Sequence, residues 1–295
     1  MSAQPNLISP AVVKSLLLEH GLRPKKRLGQ NFLIDRNVLN KIIDAANIGP
    51  KDSALEIGPG LGVVTRELAL RARQVVAVET DRDLIPILRE ILADLPNADI
   101  VNADFLRLDL DQFLRERFGE SKLAVVANLP YYITTPIIVE LLGVKERIDR
   151  IVLMVQKEVA QRLAAPPGGG DYGSITVFVR YHCEVEIVAQ VSRNVFFPLP
   201  DVDSSLIKFT VRPAPPVQTK DESLFFSVVR AAFGKRRKTL LNALSDAPDL
   251  GLTKKQVGDA LATAGIDPTR RGETLDLPEF AAIVDAVCVR VNSEP

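Results

Sequence analysis

Between residues 53 and 155, five short runs rich in Val, Ile, Leu and Ala alternate with longer stretches whose apolar residues recur at helical spacing. Short apolar runs separated by helix-length crossovers cannot pair as hairpins, so they build a parallel sheet with helices on both faces. The pattern predicts strands over residues 54–57, 74–78, 99–101, 123–127 and 151–155, with helices over 64–71, 84–94 and 136–142. The fold class is therefore α/β and doubly wound. Two later runs, 184–191 and 205–211, are joined by a Pro-rich turn and predict an antiparallel pair completing one edge, while 174–181 suits helix or strand equally. Arg212-Pro213-Ala214-Pro215-Pro216 reads as a stiff connector, and 222–244 and 254–289 beyond it are helical. One domain is expected over 1–212 and a small all-α domain over 213–295. The run Ala165-Pro166-Pro167-Gly168-Gly169-Gly170 is expected as a flexible surface loop within the first.

Lys plus Arg equals Asp plus Glu at 37 each, which excludes a uniform field of either sign and leaves room for local patches. Cys183 and Cys288 form no CxxC pair and His20 and His182 are the only histidines, so neither a metal site nor a Ser-His-Asp triad is expected. Glu19 and His20 end the Leu16-Leu17-Leu18 run well short of a signal segment, and nowhere do 18 apolar residues run together. A soluble cytoplasmic protein with no membrane contact is the expectation.

Glu56-Ile57-Gly58-Pro59-Gly60-Leu61-Gly62 follows the first strand and opens a helix. Its glycines, Gly58 and Gly60 among them, would let a ligand approach the backbone closely, though a tight strand-to-helix turn alone has the same composition. Glu79 ends the second strand about 20 residues on, where a carboxylate can accept from both hydroxyls of a ribose. Asp104, after the third strand, is either an acceptor for an exocyclic adenine amine or a loop cap. The glycine spacing lacks the helix-start glycine that a dinucleotide pyrophosphate needs, which disfavours NAD.

Asn128-Leu129-Pro130-Tyr131 stands directly after the fourth strand. The Asn128 side-chain oxygen and the Leu129 carbonyl can accept both protons of an exocyclic NH2, and Tyr131 offers a ring on which a base stacks. A positively charged leaving group needs little activation of its nucleophile, so orientation and aimed acceptors would carry catalysis. Phe196-Phe197-Pro198-Leu199-Pro200 would hold Phe196 as a second stacking ring for a flipped base. Three basic clusters, Lys25-Lys26-Arg27, Lys235-Arg236-Arg237-Lys238 and Arg270-Arg271, are candidate contacts for a nucleic-acid backbone.

Taken with Leu28-Gly29-Gln30-Asn31-Phe32-Leu33, Phe196 to Ser204 and Ala231-Ala232-Phe233-Gly234 before the second basic cluster, these motifs resemble, in order, the KsgA/RsmA rRNA adenine dimethyltransferases. The resemblance implies a Rossmann-like class I methyltransferase domain followed by a helical RNA-binding domain. It implies S-adenosylmethionine as methyl donor and N6 dimethylation of two adjacent adenosines near the 3′ end of small-subunit rRNA, within an assembling 30S-type particle. By the same resemblance Asn31, Leu33, Gly58, Gly60, Glu79, Asp104 and Asn128 would contact the cofactor, with Asn128, Leu129, Tyr131 and Phe196 around the target adenine. Leu199 departs from the family pattern, standing where many relatives have a further proline. A monomer is expected. Large-subunit rRNA methylation, a role mainly as an assembly factor that binds immature subunits through the basic clusters and leaves when methylation finishes, and a nicotinamide-dependent dehydrogenase are the alternative readings.

Overall fold

The computed structural model describes residues 5–130, 133–235 and 237–291. The chain divides into two compact units, Met1–Ala160 with Val185–Val211, and Gln161–Glu184 with Arg212–Pro295.

The first unit opens with α1 (Pro10–Glu19), β1 (Phe32–Leu33) and α2 (Arg36–Ala46). Strands and helices then alternate as β2 (Ser53–Ile57), α3 (Val63–Ala69), β3 (Gln74–Glu79), α4 (Ile85–Ile91), β4 (Ala98–Asn102) and α5 (Leu110–Phe118). The series continues through β5 (Leu123–Asn128), α6 (Thr134–Gly143), β6 (Ile148–Gln156) and α7 (Lys157–Ala164). After α8 (Ser174–His182) come β7 (Cys183–Val191), β8 (Phe196–Phe197) and β9 (Ser204–Val211). Seven strands form one sheet in the order β4-β3-β2-β5-β6-β9-β7. Strands β2 to β6 are parallel to their neighbours, whereas β9 runs antiparallel to β6 with β7 beyond it at the edge. The doubly wound expectation holds. The central strands β2 and β5 are buried along nearly their whole length, as unbroken apolar runs require when both faces are covered.

One expected helix differs. The stretch 84–94 is a 3-10 turn over Arg82–Leu84 followed by the shorter α4, because Pro86 falls in the first turn of α4 and Leu92 already leaves helical geometry. Val13, Leu16 and Leu17 of α1 pack with Leu84, Ile87 and Ile91, which fastens the amino-terminal helix to this side of the sheet. Each such buried aliphatic side chain contributes about 1.5–3 kcal/mol.

The second unit gathers α9 (Glu222–Gly234), α10 (Leu240–Ser245), α11 (Lys254–Thr263) and α12 (Leu277–Val291) around Phe225, Leu240, Leu261 and Phe280. The ambiguous stretch 174–181 is the helix α8, and its Val177 and Tyr181 join this same core. The Tyr181 hydroxyl also donates to Glu222 Oε2 at 3.1 Å. A single break at residue 212 therefore gives way to a discontinuous helical unit that reclaims residues 161–184. The glycine loop is anchored within it, since the Gly168 N–H donates to the Glu273 carbonyl at 2.7 Å. Among the described residues no helix is long and apolar enough to cross a membrane.

Candidate active site

The chain steps from β2 to β3 to β4 on one side and returns to β5 on the other, so the strand order reverses between β2 and β5. Crevices at such a reversal, beyond the carboxyl ends of the strands, bind ligands in α/β sheets. Here the register places Ile57 beside both Val78 and Ala127, and the strand ends open into a cavity of about 280 Å³. Asn31, Leu33, Gly58, Gly60, Glu79, Asp104 and Asn128 all line it, together with Leu129 and Phe196.

Gly60 shows why the motif is glycine-rich: its φ is 59°, and a Cβ there would stand 3.1 Å from the Phe32 ring. With no side chain in the way, its N–H donates to Glu79 Oε2 at 3.2 Å, while the Asp81 N–H donates to Glu79 Oε1 at 2.7 Å. Glu79 is only 5% exposed, and burial pushes its carboxyl up to about 7 against the pull of those backbone donors. Glu56 is buried beside it, its Oε2 with no hydrogen-bond partner among the described residues. Desolvation raises the Glu56 carboxyl to about 8, opposed by the Thr65 hydroxyl and reinforced by the charge of Glu79. No lysine or arginine among the described residues offsets either burial. The arrangement suits a ligand that brings hydroxyl donors and positive charge.

Asp104 is the loop cap that one of its readings anticipated, and it also faces the cavity. Its Oδ1 accepts the Leu106 N–H at 3.2 Å as the cap of a 3-10 turn. Asn128 is the last residue of β5, and its Nδ2 donates to the Asn31 carbonyl at 3.1 Å. A carbonyl only accepts, so this contact fixes which way the Asn128 amide is turned and aims Oδ1 away from Asn31. The Leu129 N–H donates to the Met154 carbonyl at 3.3 Å, tying the start of the loop to β6.

Phe196 departs from expectation. It lies in β8, paired with Leu33 of β1, and is 5% exposed as part of the core rather than presented on a loop. The gap it shares with Gly29, Asn31, Asn128, Leu129 and Pro130 is about 10 Å³, space for no more than one water. Tyr131 lies outside the described residues.

The basic clusters also divide. Lys25 is engaged inside the first unit, its ammonium 2.6 Å from both Asp81 Oδ1 and Asp83 Oδ2, so its assignment as an RNA contact does not fit its surroundings. Lys26 and Arg27 are exposed. In the helical unit Arg270 grips Glu279 and the Thr274 carbonyl, which makes it a structural clamp, and Lys235 pairs with Asp246 at 3.0 Å. Arg237, Lys238 and Arg271 are exposed, and Arg236 lies outside the described residues. The Leu240 N–H donates to the Arg270 carbonyl at 2.7 Å, so the two carboxy-terminal clusters, far apart in sequence, are neighbours.

The model of the ribosomal RNA adenine dimethylase family matches residues 21–283. The chain belongs to that family. It is 51% identical to the ribosomal RNA small subunit methyltransferase A of Geobacillus thermodenitrificans, over 96% of this chain and 97% of that protein. The Moorella thermoacetica protein of the same name is also 51% identical, over 94% and 97%. Among solved structures, a dimethyladenosine transferase from Plasmodium falciparum aligns with a TM-score of 0.72 at 27% identity, covering 88% of this chain and 97% of that one. The 23S rRNA methyltransferase ErmE aligns at 0.68 and 30% identity, covering 88% and 100%.

The enzyme is thus an rRNA methyltransferase of the S-adenosylmethionine-dependent class, and its cavity fits that cofactor. Gly60 leaves the space a side chain would fill, Glu79 presents buried acceptors suited to ribose hydroxyls, and the partnerless oxygen of Glu56 suits a donor or a positive charge. Sequence reading gave no individual role to Glu56 or Asp81, and by the family resemblance placed Gln30 only within the run over the methionine end. Asp81 stands two residues after Glu79, and that spacing was the available signal.

Proposed function

We propose that this enzyme transfers methyl groups from S-adenosylmethionine to N6 of two adjacent adenosines near the 3′ end of small-subunit rRNA, giving N6,N6-dimethyladenosine. It acts on an assembling 30S-type particle, as a cytoplasmic monomer. The observation that carries the reading is Asn128 at the end of β5, lining the cofactor cavity with its amide turned by the Asn31 carbonyl.

When bound, the cofactor supplies an electrophilic methyl on a sulfonium. Glu79 and Gly60 would hold its ribose side, Asp104 would accept from its adenine, and Asn31 and Leu33 would cover its methionine end. The Asn128 Oδ1 and the Leu129 carbonyl accept the two protons of the target amine and direct its lone pair at the methyl. The same acceptors would favour the ammonium that forms, which then releases a proton to solvent while S-adenosylhomocysteine leaves, so orientation and electrostatics do the catalytic work without a strong base. Phe196 forms the inner wall of the base slot, and Tyr131 is its partner ring. The slot must widen to admit a base.

The domain from 213 onward, with residues 161–184 added, contacts RNA through Arg237, Lys238 and Arg271 on one side of the helical core. Replacing Arg237 and Lys238 together by Ala should lower the slope of log affinity against log salt by about 1.5 to 2 for small-subunit binding, measured by filter retention. An unchanged slope would remove this patch from the interface.

The test of the reaction uses tritiated S-adenosylmethionine with small subunits from a strain lacking the modification, or with large-subunit rRNA. Label in N6,N6-dimethyladenosine from the 3′ terminal region of small-subunit rRNA is the expected result. Label confined to large-subunit rRNA, the substrate class named for ErmE, would move the enzyme to that branch. Absence of label with either, despite cofactor binding, would leave subunit binding as its role.

A further inference from the structure

Between α1 and β1 the chain returns across the cavity as a strap, residues 25–33, and its polar groups converge on one carboxylate. Asp81, two residues beyond β3, is 5% exposed. Its Oδ1 accepts the Lys25 ammonium at 2.6 Å and the Asp83 N–H at 3.2 Å. Its Oδ2 accepts Gln30 Nε2 at 2.7 Å, and its own N–H donates to Glu79 Oε1 at 2.7 Å. The Gln30 amide is held the right way round because its Oε1 accepts the Lys25 N–H at 2.8 Å. One residue further, the Asn31 carbonyl accepts the Asn128 amide, and Asn31 Nδ2 donates to the Gly29 carbonyl at 3.1 Å. Gly29, at φ 61°, lies so close to Pro130 that a Cβ would stand 2.9 Å from the proline Cβ. The strap is therefore pinned at two places, to the loop after β3 and to the loop after β5.

We propose that Asp81 is a positioning residue that holds the strap closed over the cofactor and, through Gln30 and Asn31, keeps the Asn128 amide turned for the target amine. Only a carboxylate accepts at both oxygens. An asparagine there must present its NH2 either to the Lys25 ammonium or to the Gln30 NH2, and Gln30 cannot flip without losing the Lys25 N–H. Because the Asp81 backbone also engages Glu79, the residue that holds the strap is the one adjoining the ribose acceptor. The link to Asn128 rests on the reaction proposed above; closure of the strap does not.

The experiment uses the full-length enzyme carrying Asp81→Asn, Lys25→Met, or both, with Lys25→Arg as the conservative control. Calorimetry with S-adenosylhomocysteine and the rate of tryptic cleavage after Lys26 and Arg27 are measured without RNA, then kcat and KM with small subunits. Asp81→Asn should weaken S-adenosylhomocysteine about 10-fold, accelerate cleavage about 10-fold and lower kcat. The double variant should be no worse than the worse single, since both break one network, and Lys25→Arg should restore most of the loss. Should Asp81→Asn fail to fold, Gln30→Ala removes only the strap's amide and is expected to reproduce the faster cleavage. Unchanged affinity and cleavage in a folded Asp81→Asn or Gln30→Ala enzyme would overturn the proposal, as would losses that simply add. Normal strap measurements with no adenosine methylation by the unaltered enzyme would instead overturn the proposed reaction.

Discussion

Glu79 in the cofactor cavity and Glu279 in the helical unit each accept backbone N–H groups, yet they titrate in opposite directions. Glu279 is gripped by both terminal nitrogens of Arg270 and accepts the Asp276 N–H at 3.0 Å, and the guanidinium holds its carboxyl below the ordinary range. Glu79 accepts the Gly60 and Asp81 N–H groups, faces no lysine or arginine among the described residues, and is pushed up to about 7 by burial. The helical unit uses its acid to close a loop. The cavity keeps its acids desolvated, Glu56 with one oxygen unpartnered, so that they favour a ligand over the empty protein.

The sharpest break in that comparison is expected at Asn128, proposed to orient the target amine while its Nδ2 holds the Asn31 carbonyl. Asn128→Ala should lower kcat by roughly 10²- to 10³-fold, on the scale of losing an oxyanion-type contact, with the melting temperature of the ligand-free enzyme nearly unchanged. Radiolabel transfer and calorimetry together would check it, and transfer at the wild-type rate would exclude the assigned role.

Next in size is Glu79→Gln. S-adenosylhomocysteine should bind about 10- to 100-fold more weakly by isothermal titration, because an amide leaves one ribose hydroxyl or one backbone N–H without an acceptor. Ligand-free stability should change little, since removing a desolvated carboxylate offsets the backbone N–H that the amide leaves without an acceptor.

Acidity sharpens the same contrast. Glu56 and Glu79 have folded values of about 8 and 7, above their ordinary value of 4.5, so from pH 5 to 8 the native state binds more protons than the unfolded one. Their contribution to stability therefore falls as pH rises, by at most about 1.4 kcal/mol per unit for each group. Ribose hydroxyls donate to the ionised form, so S-adenosylhomocysteine should bind more tightly as pH climbs through 7. Denaturant titrations and calorimetry across that range test both signs, and binding that weakens with rising pH would remove Glu79 as the ribose acceptor.

The smallest effect belongs to the other side. Glu279→Gln, at a partly exposed ion pair, should destabilise the enzyme by about 1 kcal/mol, a few degrees of melting temperature, without altering cofactor affinity. A loss of affinity there would blur the distinction between the two acids.

Much of this was legible beforehand, for local reasons. A buried parallel strand announces itself as an unbroken apolar run, and a backbone that must admit a ligand announces itself by glycine, as Gly60 does with its positive φ. Strand-end positions follow once the strands are placed, which is why Glu79 and Asp104 stood out by position and Asn128 by its place in the Asn128-Leu129-Pro130-Tyr131 run after a strand; all three line the cavity. Lys25 was misread because a basic triplet looks the same on a solvated face and over a carboxylate. The burial of Phe196 was not legible because nothing near it in sequence reveals that Leu33 will pair with it.

The sequence by itself determined where the parallel strands lie along the chain, the glycine turn and the Asn128 loop, since periodicity and backbone requirements are carried within a few residues, and its ordered motifs carried the family resemblance. Tertiary structure alone decided that Lys25 meets Asp81 from 56 residues away, that residues 161–184 serve the helical core, and that two separated basic runs become neighbours. Each of those outcomes depends on which distant surface a side chain is buried against, and the free energy of that burial belongs to the packed pair rather than to either segment.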